Sequence, residues 1–363
     1  MELTYFRGRV ALYALLKALN VGPGDNVAIQ AFTCIAVPEA ISATGALPVY
    51  VDIEPGGFNM AAGDLECKLT PNTRAIVVQH TYGIPADMDR IMRVANLHSI
   101  PVIEDCCHTW DSKYNNARVG SFGVGSFYSF EWGKPVVAGI GGCLRINSQA
   151  LLDKIQGAYA DYRVPGWLSQ IRIEVQYCAF SLLYRPAFYW PLRSIFHTLG
   201  AVGLAESNYN QFGQGLVADD FSYRMTPGVK RRMHKKLSYL DSLTQHSLWV
   251  TKQYETSIRS AVISHPILSA SSHAIFARYP LLAVNKIELL AAARKAHVEL
   301  SDWYNQPVHP VPNQHAASVC YEVGSCPQAE KICSQVITLP THPSVKQRDI
   351  DRAIRFLNEI KIE

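Results

Sequence analysis

The chain has 363 residues, and 34 Lys and Arg against 30 Asp and Glu leave a net charge of +4. Such a length can bury a large core, as one large domain or as a large and a small one. An apolar share of 48% and a charged share of 18% fit a globular enzyme. The small positive surplus argues against a nucleic-acid partner, and nine cysteines without a CxxC pair argue against a paired-thiol metal site and for a reducing compartment.

The opening MELTYFRGRVALYALLKAL is apolar enough to suggest a signal peptide. It reads instead as a core helix over Gly8–Asn20, because it runs into Gly22-Pro23-Gly24-Asp25 with no small-residue cleavage site. Strand and helix patterns then alternate: NVAIQ, a helix over AVPEAISATG, LPVYVDI, AIVVQH, a helix over DMDRIMRVANLHS, and PVIED. Short β-rich runs separated by helices predict βαβ units around a mostly parallel sheet. Ligands in such sheets collect at the carboxyl ends of strands, where His80 and Asp105 fall.

The next stretch holds the strand-like GSFYSF and then Lys134, followed by Gly139, Gly141 and Gly142. A carboxylate ending one buried strand and a lysine just beyond another can face each other across a cleft. That pair is what a pyridoxal phosphate (PLP) enzyme needs: an amine to hold the cofactor aldehyde as a Schiff base, and a carboxylate to keep the pyridine nitrogen protonated. A lone lysine after glycines is ordinarily a surface charge, and a lone aspartate a cap or turn residue. It is the combination that selects Lys134 and Asp105. His80 and His108 are also open to a plain structural reading.

The runs VIEDCCHTWD, ARVGSFGVGSFYSFEWGK and GIGG resemble the DegT/DnrJ/EryC1/StrS family of PLP-dependent sugar aminotransferases. So do GALPVYVDIEP, TPNTRAIVVQHTYGIPADMD, FSYRMTPGVKRRMHKKL and the tail CPQAEKICSQVITLPTHPSV. The resemblance implies an α/β protein of PLP fold type I, the aspartate-aminotransferase fold. A large domain over 1–220 would carry the mostly parallel central sheet flanked by helices, and a smaller C-terminal α/β domain would cover 221–363. By position, Asp105 would meet the pyridine nitrogen, His108 the ring hydroxyl, and Ser129 the phosphate, with Lys134 as the Schiff-base lysine. The family's Ser-Gly-Thr at a phosphate-gripping helix N-terminus is replaced by Arg7-Gly8-Arg9, so Gly8 keeps the close approach and Arg9 offers a cation. Thr33 would bond the cofactor, Cys34 replaces a ring-stacking aromatic, and Gly133 replaces a Thr or Ser. Ser222 stands where an Asn reaches the partner subunit's cofactor phosphate.

The implied activity is conversion of a keto-sugar, nucleotide-linked, to an amino sugar with Glu or Gln as donor, in polysaccharide or antibiotic-sugar assembly. A cytoplasmic homodimer is expected. A non-catalytic or non-transaminating relative that binds a sugar nucleotide or a partner is the rival reading, motivated by Arg9, Cys34, Gly133 and Ser222. Residues 166–219 do not fit the family and form an aromatic, apolar insertion. Its prolines and arginines argue against one spanning helix. Burial in the chain's own core or in a homodimer interface stands against short amphipathic helices in peripheral contact with the membrane.

Overall fold

The structure, a computed structural model, describes residues 3–201 and 219–360. Seven stretches pair into one sheet: β1 (Thr4–Tyr5), β2 (Asn26–Gln30), β3 (Leu47–Val51), β4 (Thr73–Gln79), β5 (Val102–Asp105), β6 (Gly125–Ser129) and β7 (Gly142–Ile146). Their order is β1-β7-β6-β5-β4-β2-β3. Strands β3, β2, β4, β5 and β6 run parallel, and β7 and β1 close one edge antiparallel. Near-continuous apolar runs such as AIVV in β4 suit a parallel sheet covered on both faces.

Helices α1 (Gly8–Ala18), α2 (Ala36–Ser42), α3 (Ala62–Lys68) and α4 (Met88–Leu97) cover this sheet. In α4, Met88, Ile91, Val94 and Ala95 make one buried face, and the Asp87 side chain caps the start by accepting from the Arg90 amide. Helix α1 stops two residues earlier than its apolar pattern predicts, because Asn20 takes the left-handed conformation at φ 60°.

Helix α5 (Gln149–Tyr159) leads to the insertion, where α6 (Trp167–Leu183) and α7 (Tyr189–Ala201) form, and α8 (Pro227–Leu237) follows. A second, antiparallel sheet then joins β8 (Ile263–Ser264), β9 (Arg278–Ala283) and β10 (Val336–Pro340). With it come α9 (Leu240–Ser257), α10 (Lys286–Lys295), α11 (Pro327–Gln335) and α12 (Gln347–Glu359). One contiguous apolar core runs from Leu12 and Leu15 of α1 to Leu281, Ile337 and Leu357. The insertion enters a smaller core only through Ile173, the one buried residue of α6 among those described. Burial in the chain's own core therefore accounts for only part of its apolar surface.

Candidate active site

The carboxyl ends of β5 and β6 and the N-terminus of α1 enclose a cleft of about 470 Å³. Seven residues singled out in the sequence line it: Gly8, Arg9, Cys34, Asp105, His108, Ser129 and Lys134. Two do not. Thr33 is turned away, donating its hydroxyl to Gln79 at 2.9 Å, and Ser222 is exposed in the turn Asp219–Ser222, outside its own chain's cleft.

Asp105 ends β5 between Gln79 and Phe127 in the sheet register, so its carboxylate is fixed by the ladder. It accepts the Cys107 amide at 2.9 Å. Burial pushes this carboxyl above its ordinary value, against the pull of that amide and of Lys134. His108 is pushed well below its ordinary value by burial and by Lys134. Its Nδ1 accepts the Tyr82 amide at 3.1 Å, so the neutral ring carries its proton on Nε2, which faces the Tyr304 hydroxyl at 3.2 Å. Burial also pushes the Cys34 thiol up to about 11.

Lys134 is half-buried and reaches the cleft from the turn after β6, with its ammonium 4.9 Å from the Trp303 ring centroid. Gly133 before it has φ +77°, a left-handed position that disfavours a side chain, so the turn itself favours glycine where the resemblance implies a hydroxyl. At Gly8 a Cβ would stand 3.2 Å from Ser129 Cβ, which would crowd the space between the α1 N-terminus and β6.

Residues 3–358 match the DegT/DnrJ/EryC1/StrS aminotransferase family. The chain belongs to that family. It resembles the pleiotropic regulatory protein of Geobacillus stearothermophilus, 29% identical over 97% of this chain and 82% of that one. It also resembles the UDP-2-acetamido-2-deoxy-3-oxo-D-glucuronate aminotransferase of Pseudomonas aeruginosa, 27% identical over 93% of this chain and 79% of the other. Among solved structures, S. venezuelae DesV superposes with a TM-score of 0.75 at 22% identity, covering 99% of this chain and 84% of that one, which supports the fold.

As a DegT-family member the chain is a PLP-dependent aminotransferase, with the type I fold expected from the sequence. Its cleft fits that cofactor: an amine, a buried carboxylate and a helix N-terminus kept open by Gly8 lie around one space. The phosphate end differs from the family's hydroxyl pattern. Arg9 donates to Glu39 and to Asp220, each at 2.7 Å, while Arg7 pairs with Glu131 and Asp220, each at 2.8 Å. Burial alone would lower Arg9, but Asp220 and Glu39 outweigh it and raise it, so its guanidinium stays charged. Arg9 is thus no surface cation; it lines the cleft already held by two carboxylates.

Sequence reasoning missed the far wall. A short parallel ladder of Thr33–Cys34 with Val308–His309 draws residues 303–309 onto the cleft. It brings Trp303 against His108, with ring centroids 4.6 Å apart, and places Tyr304 in the lining. The adjacent aromatics at 303–304 before Pro307 and His309 were a visible signal, but nothing local says that they return to β5.

The insertion joins both walls. Trp132, two residues before Lys134, lies 4.1 Å from Phe180 and 6.1 Å from Tyr177, centroid to centroid. Arg232 stacks over Tyr177, donates to the Ala138 carbonyl at 2.9 Å and is paired with Glu174. At the other end, the Trp190 indole donates to the Val298 carbonyl at 2.8 Å and Arg193 pairs with Asp302 at 2.9 Å.

His80, Glu104 and Cys106 bring donor atoms within 4.8 Å of one another, the one metal-like cluster among the described residues. Its carboxylate is already engaged. Glu104 accepts the amides of Gly120, Phe122 and Gly123 as well as His80 Nε2, and His80 Nδ1 accepts the Ala86 amide. The cluster pins the 120–123 loop, which gives His80 its structural role.

Proposed function

We propose that the chain transfers an amino group from Glu or Gln to the keto carbon of a nucleotide-linked sugar, in polysaccharide or antibiotic-sugar assembly. One observation carries the reading: Lys134 and Asp105 share a cleft at the N-terminus of α1. The nucleotide-linked substrate is supported by the Pseudomonas relative, which is named for a UDP-linked keto-sugar.

Lys134 Nζ would hold the cofactor, and its amine would carry a proton to and from the substrate carbon that gains nitrogen. When bound, PLP would supply an electron-withdrawing ring, and the Asp105 carboxylate would keep the pyridine nitrogen protonated. Ser129, the α1 amides and Arg9 receive the phosphate, while His108 orients the ring edge. By the family resemblance Ser222, exposed and outside its own cleft, would serve the cleft of a second subunit in a cytoplasmic homodimer. Residues 1–220 and 221–363 form the larger and smaller domains of this unit.

The test is a half-reaction. Protein purified with PLP is mixed with Glu or Gln, loss of the near-visible cofactor band is followed, and keto-sugars carrying UDP, GDP or TDP are then screened by mass spectrometry. An aminated sugar nucleotide supports the reading. A fully loaded protein that forms none with any donor refutes it.

A further inference from the structure

Helix α6 has two apolar faces, and among the described residues only the inner one is covered. Tyr177 and Phe180 rest on Trp132, and Ile173 is buried beside Phe130 and Met233. On the opposite side Leu168, Ile171, Val175 and Leu182 recur at helical spacing and are exposed, Val175 by 63% and Leu182 by 75%. Trp167 extends this stripe at one end and Leu183 at the other, both exposed. Single exposed hydrophobics are ordinary; a stripe along a whole helix calls for an occupant.

The edge of the stripe is basic. Ile171 and Val175 form one side of a groove whose other side is α8, with Arg231 and Lys235. Helix α8 carries five Lys and Arg and no acid within Pro227–Leu237, and both Arg231 and Lys235 are exposed. Glu174, the acid of α6, is already paired with Arg232.

We propose that this face docks on an anionic phospholipid bilayer. The helix lies in the plane of the surface, the apolar stripe enters the boundary between head groups and acyl chains, and Arg231 and Lys235 meet the lipid phosphates. Charge decides against a second copy as the occupant. A two-fold interface through this face would set the patch against itself and oppose like charges, whereas an anionic bilayer offers an apolar layer and the opposite sign together. Among the described residues no helix is long and apolar enough to cross a membrane, which fits contact in the plane. The same helix braces the Lys134 turn from its inner face, so the docked surface lies directly behind the cleft's lysine wall.

Vesicle flotation of the full chain loaded with PLP tests this, comparing phosphatidylcholine alone with an equimolar mixture of phosphatidylcholine and phosphatidylglycerol. The protein should float with the mixture and not with phosphatidylcholine alone. Ile171→Glu with Val175→Glu, and separately Arg231→Glu with Lys235→Glu, should each cut the bound fraction by roughly tenfold or more. Leu97→Glu, at an exposed site on α4, should leave it unchanged. The cofactor band shows that each variant is folded, and sedimentation gives its mass. No flotation at low salt, or equal flotation after either double substitution, overturns the proposal. A lipid-free dimer that Ile171→Glu with Val175→Glu turns into a monomer also overturns it, since the face would then be a self-interface.

Discussion

The Lys134 ammonium lies over the face of Trp303, 4.9 Å from the ring centroid. The tryptophan also packs against His108, with ring centroids 4.6 Å apart, and its carbonyl accepts the Tyr82 hydroxyl. Lysine and ring come from distant parts of the chain and meet at the wall of the cleft. A cation–π contact of this kind is worth about 0.5–2 kcal/mol. Because PLP takes the Lys134 amine into a covalent bond, this contact of the free ammonium favours the empty cleft, and Trp303→Leu should lower the PLP dissociation constant by roughly two- to thirtyfold, read by equilibrium dialysis at fixed pH.

Lys134→Ala should abolish transamination, with a loss on the order of 10³-fold or more, because nucleophile and proton carrier disappear together. Borohydride should no longer fix the cofactor to the protein, as seen in the intact mass. Retention of both turnover and covalent fixation would remove Lys134 from its role.

Asp105 has two tasks that one substitution can separate. Its carboxylate accepts the Cys107 amide, a bond that Asn can keep, and it supplies the only charge that Asn removes. Asp105→Asn should leave the urea midpoint close to wild type and cost on the order of 10²–10³-fold in kcat. Near wild-type turnover with a full complement of PLP would refute the pairing with the pyridine nitrogen.

Asp220 Oδ2 sits within 2.8 Å of both Arg7 Nε and Arg9 Nη2, restraining two cations at the phosphate end. If Arg9 receives the phosphate, Asp220→Asn should tighten PLP several-fold, and Arg9→Ala should weaken it more than Arg7→Ala. Each alanine leaves partly buried carboxylates short of a partner and should also cost about 1–3 kcal/mol of stability. Affinities therefore have to be compared where both variants are folded. Equal dissociation constants for the two alanine variants would assign Arg9 to the ion-pair cluster alone.

Glu299 predicts the acid limit. Burial alone would raise its carboxyl, but Arg278, His342 and the Tyr184 hydroxyl outweigh that and hold it down at about 2, against an ordinary 4.5. Because the folded value is the lower one, its contribution is complete above pH 4.5 and is lost as pH falls toward 2. That contribution is about 3 kcal/mol. Urea midpoints of wild type should fall across this window, and Glu299→Gln should be weaker at neutral pH with a flatter acid slope. Parallel slopes for the two proteins would show that other carboxylates set the limit.

Much of the first half was legible in the sequence because its signals are local. Apolar runs ending in acid, the GPGD stop and the glycines around Lys134 each reflect backbone preferences that need no distant partner. These determined a mostly parallel sheet with Lys134 and Asp105 at strand ends. Where the arginines at 7 and 9 point was not local: Glu39, Glu131 and Asp220 reach them from three other segments, and only packing brings those acids together. Trp303 and Tyr304 were invisible as cleft residues for the same reason, since a two-residue ladder on Thr33–Cys34 brings them in. The insertion shows the division within one helix. Its sequence put two apolar faces on α6, but side-chain contacts decided that Tyr177 and Phe180 would rest on Trp132 while Ile171 and Val175 stayed exposed.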